Sequence, residues 1–162
     1  MSKTIVVYGS STGTCESIAQ TIASKLDAEV IAVSDLTAEQ LAEADNILLG
    51  SSTWGAGELQ DDWYDGIDIV KKADLSGKKV AVFGCGDSAS YSDTFCSAMK
   101  ELYDAAQEAG ATLVGAVSTD GYEFDDSDAV VDGHFVGLAL DDVNEDSKTE
   151  ERIDAWIPTL GF

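Results

Sequence analysis

The sequence predicts an α/β protein with a doubly wound parallel sheet and helices on both faces. Short apolar runs alternate with stretches of helical periodicity along the 162 residues, which is typical of repeated strand–helix–strand units. Three of these runs end in glycine followed by small or polar residues, as expected where buried parallel strands reach the sheet edge. A chain of this length fits one domain, residues 1–162, with a substantial core.

The first half of the chain predicts three strands and three helices. The strands are residues 4–8, 29–33 and 46–50, all rich in β-branched or apolar residues. A first helix from about Cys15 to Leu26 carries Ile18, Ala19 and Ile22 on one stripe. The sequence from Thr37 to Gln40 is a capping box that opens a short helix. A further helix extends from 61 to about 73 after a loop at 51–60.

The second half predicts two strands, at 79–83 and 112–117, and two helices. One helix extends from about 93 to 109, and a second capping box, 147–150, opens the last helix to about 160. Pro158 falls in its final turn, where an irregular end is expected. Residues 118–146 are too many for a structureless loop in a compact domain. We therefore expect residues 135–140 to complete or extend the fifth strand after an excursion.

The composition is strongly acidic, because nine Lys and Arg face 31 Asp and Glu, a formal charge of −22. Such a surface excludes nucleic acid and anionic membranes as partners and attracts basic proteins, although solubility or salt adaptation would explain it equally well. We expect no membrane span and no signal peptide. Three cysteines without metal-type spacing indicate a reduced, cytoplasmic chain. The single histidine, His134, is expected to be structural or surface-exposed rather than catalytic.

The first loop has the composition of a phosphate-binding turn. It follows a strand and opens a helix, so glycine turns and the helix N-terminus would direct amide groups at an anion, with hydroxyl donors beside them. The loop lacks the Gly-Lys-Ser/Thr of a Walker P-loop and the Arg of a Cys-based phosphatase. The alternative is that the loop is a Ser/Thr-rich N-cap of the helix and binds no ligand. Its residues are Ser10, Ser11, Thr12, Gly13, Thr14 and Cys15.

The second and third loops each place an aromatic residue among glycines and small residues. Trp54 has no obvious core to fill and is suited to stacking on a flat ligand. The alternative is that it covers a hydrophobic patch of the protein. Trp63 and Tyr64 are expected in the core. The third loop offers close backbone approach, a carboxylate and Tyr91. Together the loops indicate a planar heterocycle bearing a phosphate. Their residues are Ser52, Thr53, Trp54, Gly55, Ala56 and Gly57, then Cys85, Gly86, Asp87, Tyr91 and Asp93.

Across nearly its whole length the chain resembles the long-chain flavodoxins. The matching segments are residues 8–13, 53–60, 84–87 with 91–95, 119–124, 135–141 and 152–156. The resemblance implies a flavodoxin-like five-stranded parallel sheet in the order 2-1-3-4-5, with an insertion that splits strand five. It also implies one non-covalently bound FMN.

The resemblance also implies a role for each loop. Residues 10–15 would hold the FMN phosphate, and Thr53 and Trp54 would line the inner side of the isoalloxazine. Tyr91 would stack on its outer face, while Asp87 and the backbone of residues 85–86 would bond the pyrimidine edge. The Gly55–Ala56 peptide would turn its carbonyl toward flavin N5. Two residues depart from the family: Cys15 stands where Thr is common, and Ser52 where Pro is common.

These features predict a low-potential one-electron carrier rather than an enzyme. No Lys or Arg lies within 9–24, 51–70 or 84–99, so an anionic reduced flavin would lack a compensating cation. A turned Gly55–Ala56 peptide would stabilise the neutral semiquinone, so that the protein cycles between semiquinone and hydroquinone. We expect a monomer that shuttles electrons between reductases and oxidases with basic docking faces.

Three other functions compete with this prediction. A flavin-dependent quinone or NADPH oxidoreductase of related fold is the main alternative, but it would need a substrate pocket and cations near the flavin. A receiver domain would need acidic residues after strand one, where Gly9 and two serines stand. A flavin-free interaction domain would leave the purified protein colourless.

Overall fold

The chain folds as a central parallel sheet between two layers of helices. The structure, a computed structural model, describes residues 3–9, 14–54, 58–59, 63–85, 98–119, 127, 129–131, 133–140 and 146–160. The described strands are β1 Thr4–Gly9, β2 Glu29–Ala32, β3 Asn46–Trp54, β4 Glu58–Leu59, β5 Lys79–Cys85, β6 Thr112–Leu113, β7 Val117–Ser118, β8 Val130–Val131, β9 His134–Phe135 and β10 Leu138–Leu140. The described helices are α1 Thr14–Leu26, α2 Ala38–Glu43, α3 Trp63–Lys72, α4 Ala98–Glu108 and α5 Asp146–Trp156, with 3-10 turns at Val33–Asp35 and Ile157–Thr159.

The main sheet confirms the predicted strand order. Along the sheet β2, β1, β3 and β5 are neighbours, and β6 and β10 both pair with β5 on its far side. Every one of these pairings is parallel. With β6 and β10 counted as two halves of one strand, the order is the 2-1-3-4-5 of the flavodoxin-like sheet.

The fifth strand is split, as the resemblance implies. Its first half, β6, pairs with residues 79–80 at the start of β5, and its second half, β10, pairs with residues 83–85 at the end. Between the halves, β7, β9 and β8 form a separate antiparallel sheet. The prediction of a continuous strand at 112–117 is therefore wrong. Gly115, with φ of 85°, breaks the extended conformation there.

Re-entry of the chain into the main sheet also differs in detail from the prediction. Phe135 belongs to β9 of the small sheet, so only Leu138–Leu140 of the predicted 135–140 completes the fifth strand. Gly137 lies directly against β5, because a Cβ built on it would be 1.9 Å from the Val82 carbonyl oxygen. Only a residue without a side chain lets the backbones approach so closely.

Alternation along the strands divides the apolar residues into two cores. On one face Ile5, Val7, Ile47 and Leu49 pack beneath α3 and α4, in a cluster that includes Trp63. On the other face Val6, Leu48, Ala81 and Phe83 pack with residues of α1 and α5. Because successive strand side chains point to opposite faces, each continuous apolar run of the sequence contributes side chains to both cores. The predicted α1 stripe is confirmed, with Ile18, Ala19 and Ile22 buried.

Helix boundaries confirm one capping box and correct the other. The Thr37 hydroxyl accepts from the Gln40 amide, and the Thr37 amide donates to the Gln40 side chain at 2.8 Å. The capping box predicted at 147–150 is wrong, because α5 begins at Asp146 and Ser147 already lies in its first turn. The irregular end predicted around Pro158 is a 3-10 turn.

A small ion-pair network connects α1 to α5. Lys25 Nζ lies 2.7 Å from Asp154 Oδ1 and 3.6 Å from Glu150 Oε1. The hydrogen bond to Asp154 is the main reason that the pKa of Lys25 is raised above its ordinary value. The stabilisation is therefore fully present below the ordinary lysine pKa and is lost as the pH rises through the higher pKa of the folded state.

We predict that Gly137→Ala destabilises the protein by about 1–3 kcal/mol, because the added methyl would force β10 away from β5. Urea unfolding followed by circular dichroism measures the loss. The matched control is Gly133→Asn in the same insertion, where φ is 82° and a Cβ would meet nothing within 4 Å. Asn tolerates this conformation, so the control should cost well under ~1 kcal/mol. Equal losses for the two variants would contradict the close-packing argument.

Candidate functional site

Three strand ends lie side by side at the carboxyl edge of the sheet. In the ladder between β1 and β3, Gly9 pairs with Ser51, and in the next ladder Ser51 pairs with Gly84. Ser51 is fully buried between its neighbours. This register brings together the starting points of all three candidate loops. Open parallel sheets bind ligands at such an edge.

The first candidate loop connects β1 to the N-terminus of α1. Ser10, Ser11, Thr12 and Gly13 lie outside the described residues, whereas Thr14 and Cys15 form the start of the 13-residue helix α1. Only four residues separate the end of β1 from this helix. The free amide groups of the first helical turn therefore begin close to the sheet edge, where they can bind an anion. An anchor of this kind fits a phosphate group.

The second candidate loop is shorter than the sequence predicts. Residues 51–60 are predicted as a loop, but β3 continues through Ser52, Thr53 and Trp54. Thr53 and Trp54 pair antiparallel with Leu59 and Glu58 of β4. Polar Ser and Thr gave no apolar strand signal, and pairing with β5 and β4 provides their backbone partners instead. Gly55, Ala56 and Gly57, which connect the two strands, lie outside the described residues.

A buried tryptophan supports the middle of β3 at Gly50, one residue before Ser51. Trp63 is fully buried, which confirms its predicted place in the core, and its indole Nε1 donates to the Gly50 carbonyl at 2.7 Å. The Phe83 ring occupies the space over Gly50, where a Cβ would lie 2.1 Å from the ring. The side chain of Tyr64 lies outside the described residues. Sequence reasoning missed this support, although the Trp63 indole needs a partner once it is buried.

The third candidate loop begins at the end of β5. Cys85 is the last residue of β5 and pairs with both Ser52 and Leu140. A Cβ on Gly84 would lie 2.6 Å from Met99 Cγ, so α4 packs tightly under this end of the strand. Gly86, Asp87, Tyr91 and Asp93 lie outside the described residues. Their predicted roles stay predictions.

Positive charge is concentrated at the opposite edge of the sheet. Six of the nine basic residues lie at strand starts or helix C-termini. Both kinds of position belong to the edge at which the parallel strands begin. Such helix C-termini favour cations. Glu16, by contrast, is exposed in the first turn of α1. The six residues are Lys3, Lys25, Lys71, Lys72, Lys78 and Lys79.

Other chemistry has little support in the described part of the chain. Within it, no group of three or more His, Cys, Asp or Glu side chains could hold a metal ion. His134 is exposed on β9, which confirms the expected surface position. No described helix is long and apolar enough to cross a membrane.

Comparisons with known proteins agree with the architecture. The family model described as Flavodoxin matches residues 6–156. Flavodoxin 1 of Azotobacter vinelandii is 41% identical, with 99% of this chain and 96% of that protein covered. Flavodoxin 1 of Escherichia coli K12 is 40% identical over 99% of this chain and 93% of its own length.

A solved structure is similar over the same extent. The crystal structure of Fusobacterium nucleatum flavodoxin bound to flavin mononucleotide superposes with a TM-score of 0.91 at 30% identity, covering 98% of this chain and 96% of that one. The alternative of a flavin-dependent quinone or NADPH oxidoreductase is not favoured by these matches. The chain belongs to the flavodoxin family, the FMN-dependent electron-transfer proteins.

Proposed function

We propose that this flavodoxin holds FMN at the carboxyl edge of the sheet, with the phosphate at the N-terminus of α1. The isoalloxazine would lie between the segments that follow β3 and β5. The register of Gly9, Ser51 and Gly84 carries this proposal, because it places the starts of all three segments next to one another. Bound FMN supplies reversible transfer of single electrons.

The proposed phosphate site uses neutral donors only. The amides of residues 10–15 and the hydroxyls of Ser10, Thr12 and Thr14 would surround the phosphate, with the helix dipole in place of a cation. Cys15 stands at the start of α1, and its thiol would be a weaker donor than a threonine hydroxyl. All nine basic residues are described, and none belongs to this segment.

The proposed ring site depends on the β3–β4 pairing. Trp54 pairs with Glu58 in the antiparallel ladder, so the chain is fixed at both ends of the three-residue connection 55–57. This frame supports stacking of Trp54 on one ring face and Tyr91 on the other, with Ser52, Thr53 and Gly57 nearby. Asp87, with Cys85, Gly86 and Asp93, would complete the pyrimidine edge. The Gly55–Ala56 peptide would be the one free to turn.

The same charge distribution supports partners with basic docking faces. Six of the lysines lie at the amino edge, whereas the segments that follow β1, β3 and β5 together carry acidic residues and no Lys or Arg, so we expect negative charge beside the flavin. We propose that reductases and oxidases approach this edge, and that the protein is a cytoplasmic monomer consisting of one domain, 1–162. Transfer of electrons to such partners would not require a substrate pocket.

We predict that Glu16→Gln tightens FMN binding about two- to fivefold, because a negative charge in the first turn of α1 repels the phosphate. Quenching of flavin fluorescence on titration of the apoprotein measures the dissociation constant. The same charge stabilises the isolated helix N-terminus, so the apoprotein should become slightly less stable while it binds FMN more tightly. These opposite signs separate a phosphate effect from a general change in stability.

The matched control for this variant is Glu108→Gln, which removes an exposed carboxylate from the last turn of α4. That helix follows β5, so its end lies near the amino edge of the sheet. FMN affinity should not change there. Equal effects of the two substitutions would mean that net charge, rather than the α1 terminus, controls binding.

We predict that Trp63→Phe weakens FMN binding about tenfold and costs about 1–3 kcal/mol of stability, because the buried Gly50 carbonyl loses its donor. Trp156→Phe is the matched control, since its indole donates to Gly115 over the same 2.7 Å and is almost as buried. This control should lose comparable stability in urea while its FMN dissociation constant stays unchanged. A loss of FMN affinity shared by both variants would contradict a specific support of β3 at Gly50 by Trp63.

We predict that electron transfer to a basic c-type cytochrome slows about tenfold or more when the salt concentration is raised from a low to a physiological or higher value. Screening removes the attraction between the acidic edge and the cationic acceptor. Stopped-flow oxidation of the reduced protein measures the rate. An uncharged quinone is the control acceptor, and its rate should be nearly independent of salt. A salt-independent rate with the cytochrome would overturn the proposed basic partner face.

A further inference from the structure

A cavity lies between α5 and the break in the fifth strand, outside the proposed flavin site. Its volume is about 300 Å³, at the lower end of the range for small-molecule pockets. Leu138 and Trp156, exposed by 1% and 2%, form its buried wall. None of its described lining residues belongs to the proposed FMN site. The residues used below are Ala116, Ser118, Leu138, Arg152, Ala155 and Trp156.

The wall of the cavity is fixed in position by the split strand. The Trp156 indole Nε1 donates to the Gly115 carbonyl at 2.7 Å, at the residue where the strand breaks. The Trp156 ring also meets Phe83 of β5 edge-on, with centroids 6.5 Å apart. A tryptophan held on two sides is a rigid apolar surface, which suits a flat ring.

Arg152 gives this apolar cavity a single cation. It is the only arginine of the chain, half-buried on α5, and it lines the cavity between Trp156 and the outer residues Ser118 and Ala155. A guanidinium presents a planar fork of donors that matches a carboxylate. An anionic ligand of a protein with charge −22 needs such a local cation to overcome the general repulsion.

Two carboxylates of the surrounding helix are directed to α1. Glu150 and Asp154 of α5 both contact Lys25 of α1. The positions three and four residues from Arg152, which share its face of the helix, are Lys148, Thr149, Ala155 and Trp156. None of these four positions carries a carboxylate.

We propose that this cavity binds a small aromatic carboxylate, with the ring against Leu138 and Trp156 and the carboxylate on the Arg152 guanidinium. The proposal goes beyond FMN binding and electron transfer and is independent of both. A neighbouring cavity of about 400 Å³ shares Ala116 and is also mostly apolar, but its described lining includes His134 and no Lys or Arg. The anionic group of the ligand thus selects the cavity beside Arg152.

The test titrates 2-naphthoate into the FMN-loaded protein at low salt, with 2-naphthamide as the uncharged probe of the same shape. Calorimetry gives the affinity, and the indole N–H resonance of Trp156 in a 1H–15N spectrum reports the location. One naphthoate should bind per chain and shift this resonance, about tenfold more tightly than the amide. Equal affinity of the two probes, or shifts confined to Tyr103 and His134, would overturn the proposal.

Variants then assign the carboxylate contact. Arg152→Gln should weaken naphthoate binding about tenfold or more, and Arg152→Lys, which keeps the charge and the aliphatic stem, should restore part of it. Lys148→Gln is the matched control, since it removes one positive charge from the same helix outside the cavity, and it should have little effect. An unchanged affinity in Arg152→Gln would overturn the proposal.

A steric variant keeps the test decisive if Arg152→Gln is unstable. Ala155 is exposed at the cavity mouth, so Ala155→Phe should fill the cavity and abolish naphthoate binding without disturbing the core. Retained binding in this variant would contradict the location. The flavin absorbance spectrum, followed throughout, should stay constant, which separates this outcome from any failure of the FMN proposal.

Discussion

The parallel register of β1, β3 and β5 is the constraint on which the rest of the molecule depends. It aligns Gly9, Ser51 and Gly84 at one edge, and it also fixes which residues face each helical layer. A shift by one residue would move every core side chain to the opposite face. The same hydrogen bonds therefore specify the two cores and bring the three loop origins together, so the geometry of the site and the stability of the fold cannot be changed separately.

The sequence was informative wherever a structural preference is local. β-branched runs predicted β1, β3 and β5, and the Thr37–Gln40 box predicted the start of α2, because each depends on neighbouring residues alone. The extension of β3 to Trp54 and the pairing with β4 were missed, since the polar residues there become a strand only through distant partners. Of the candidate site, only the strand ends, β4 and the first turn of α1 are described. The loops after β1 and β5 begin at or next to the predicted positions, whereas the loop after β3 begins four residues later, and the roles of the site residues stay predictions.

The break in the fifth strand shows why some features could not be predicted. Residues on both sides of Gly115 are apolar, and nothing local separates a continuous strand from a broken one. The decisive contact is the hydrogen bond from Trp156, 41 positions later in the chain. Gly137 then has to lie against the Val82 backbone for β10 to rejoin the sheet. Both contacts join residues that are far apart in the sequence. The only local indication of each is a glycine, Gly115 for the first and Gly137 for the second.

Charge placement connects this architecture to electron transfer. In a doubly wound sheet the helices that follow strands present their positive dipole ends at the carboxyl edge and their negative ends at the amino edge. Lys25, Lys71 and Lys72 complement the negative ends, and residues 9–24, which join β1 to α1 and form most of that helix, contain no basic residue. An anion bound there depends on amides and the dipole, which are fixed by the backbone and do not titrate. Under the proposed function, a reduced flavin would therefore gain no compensating positive charge from the segment that holds its phosphate.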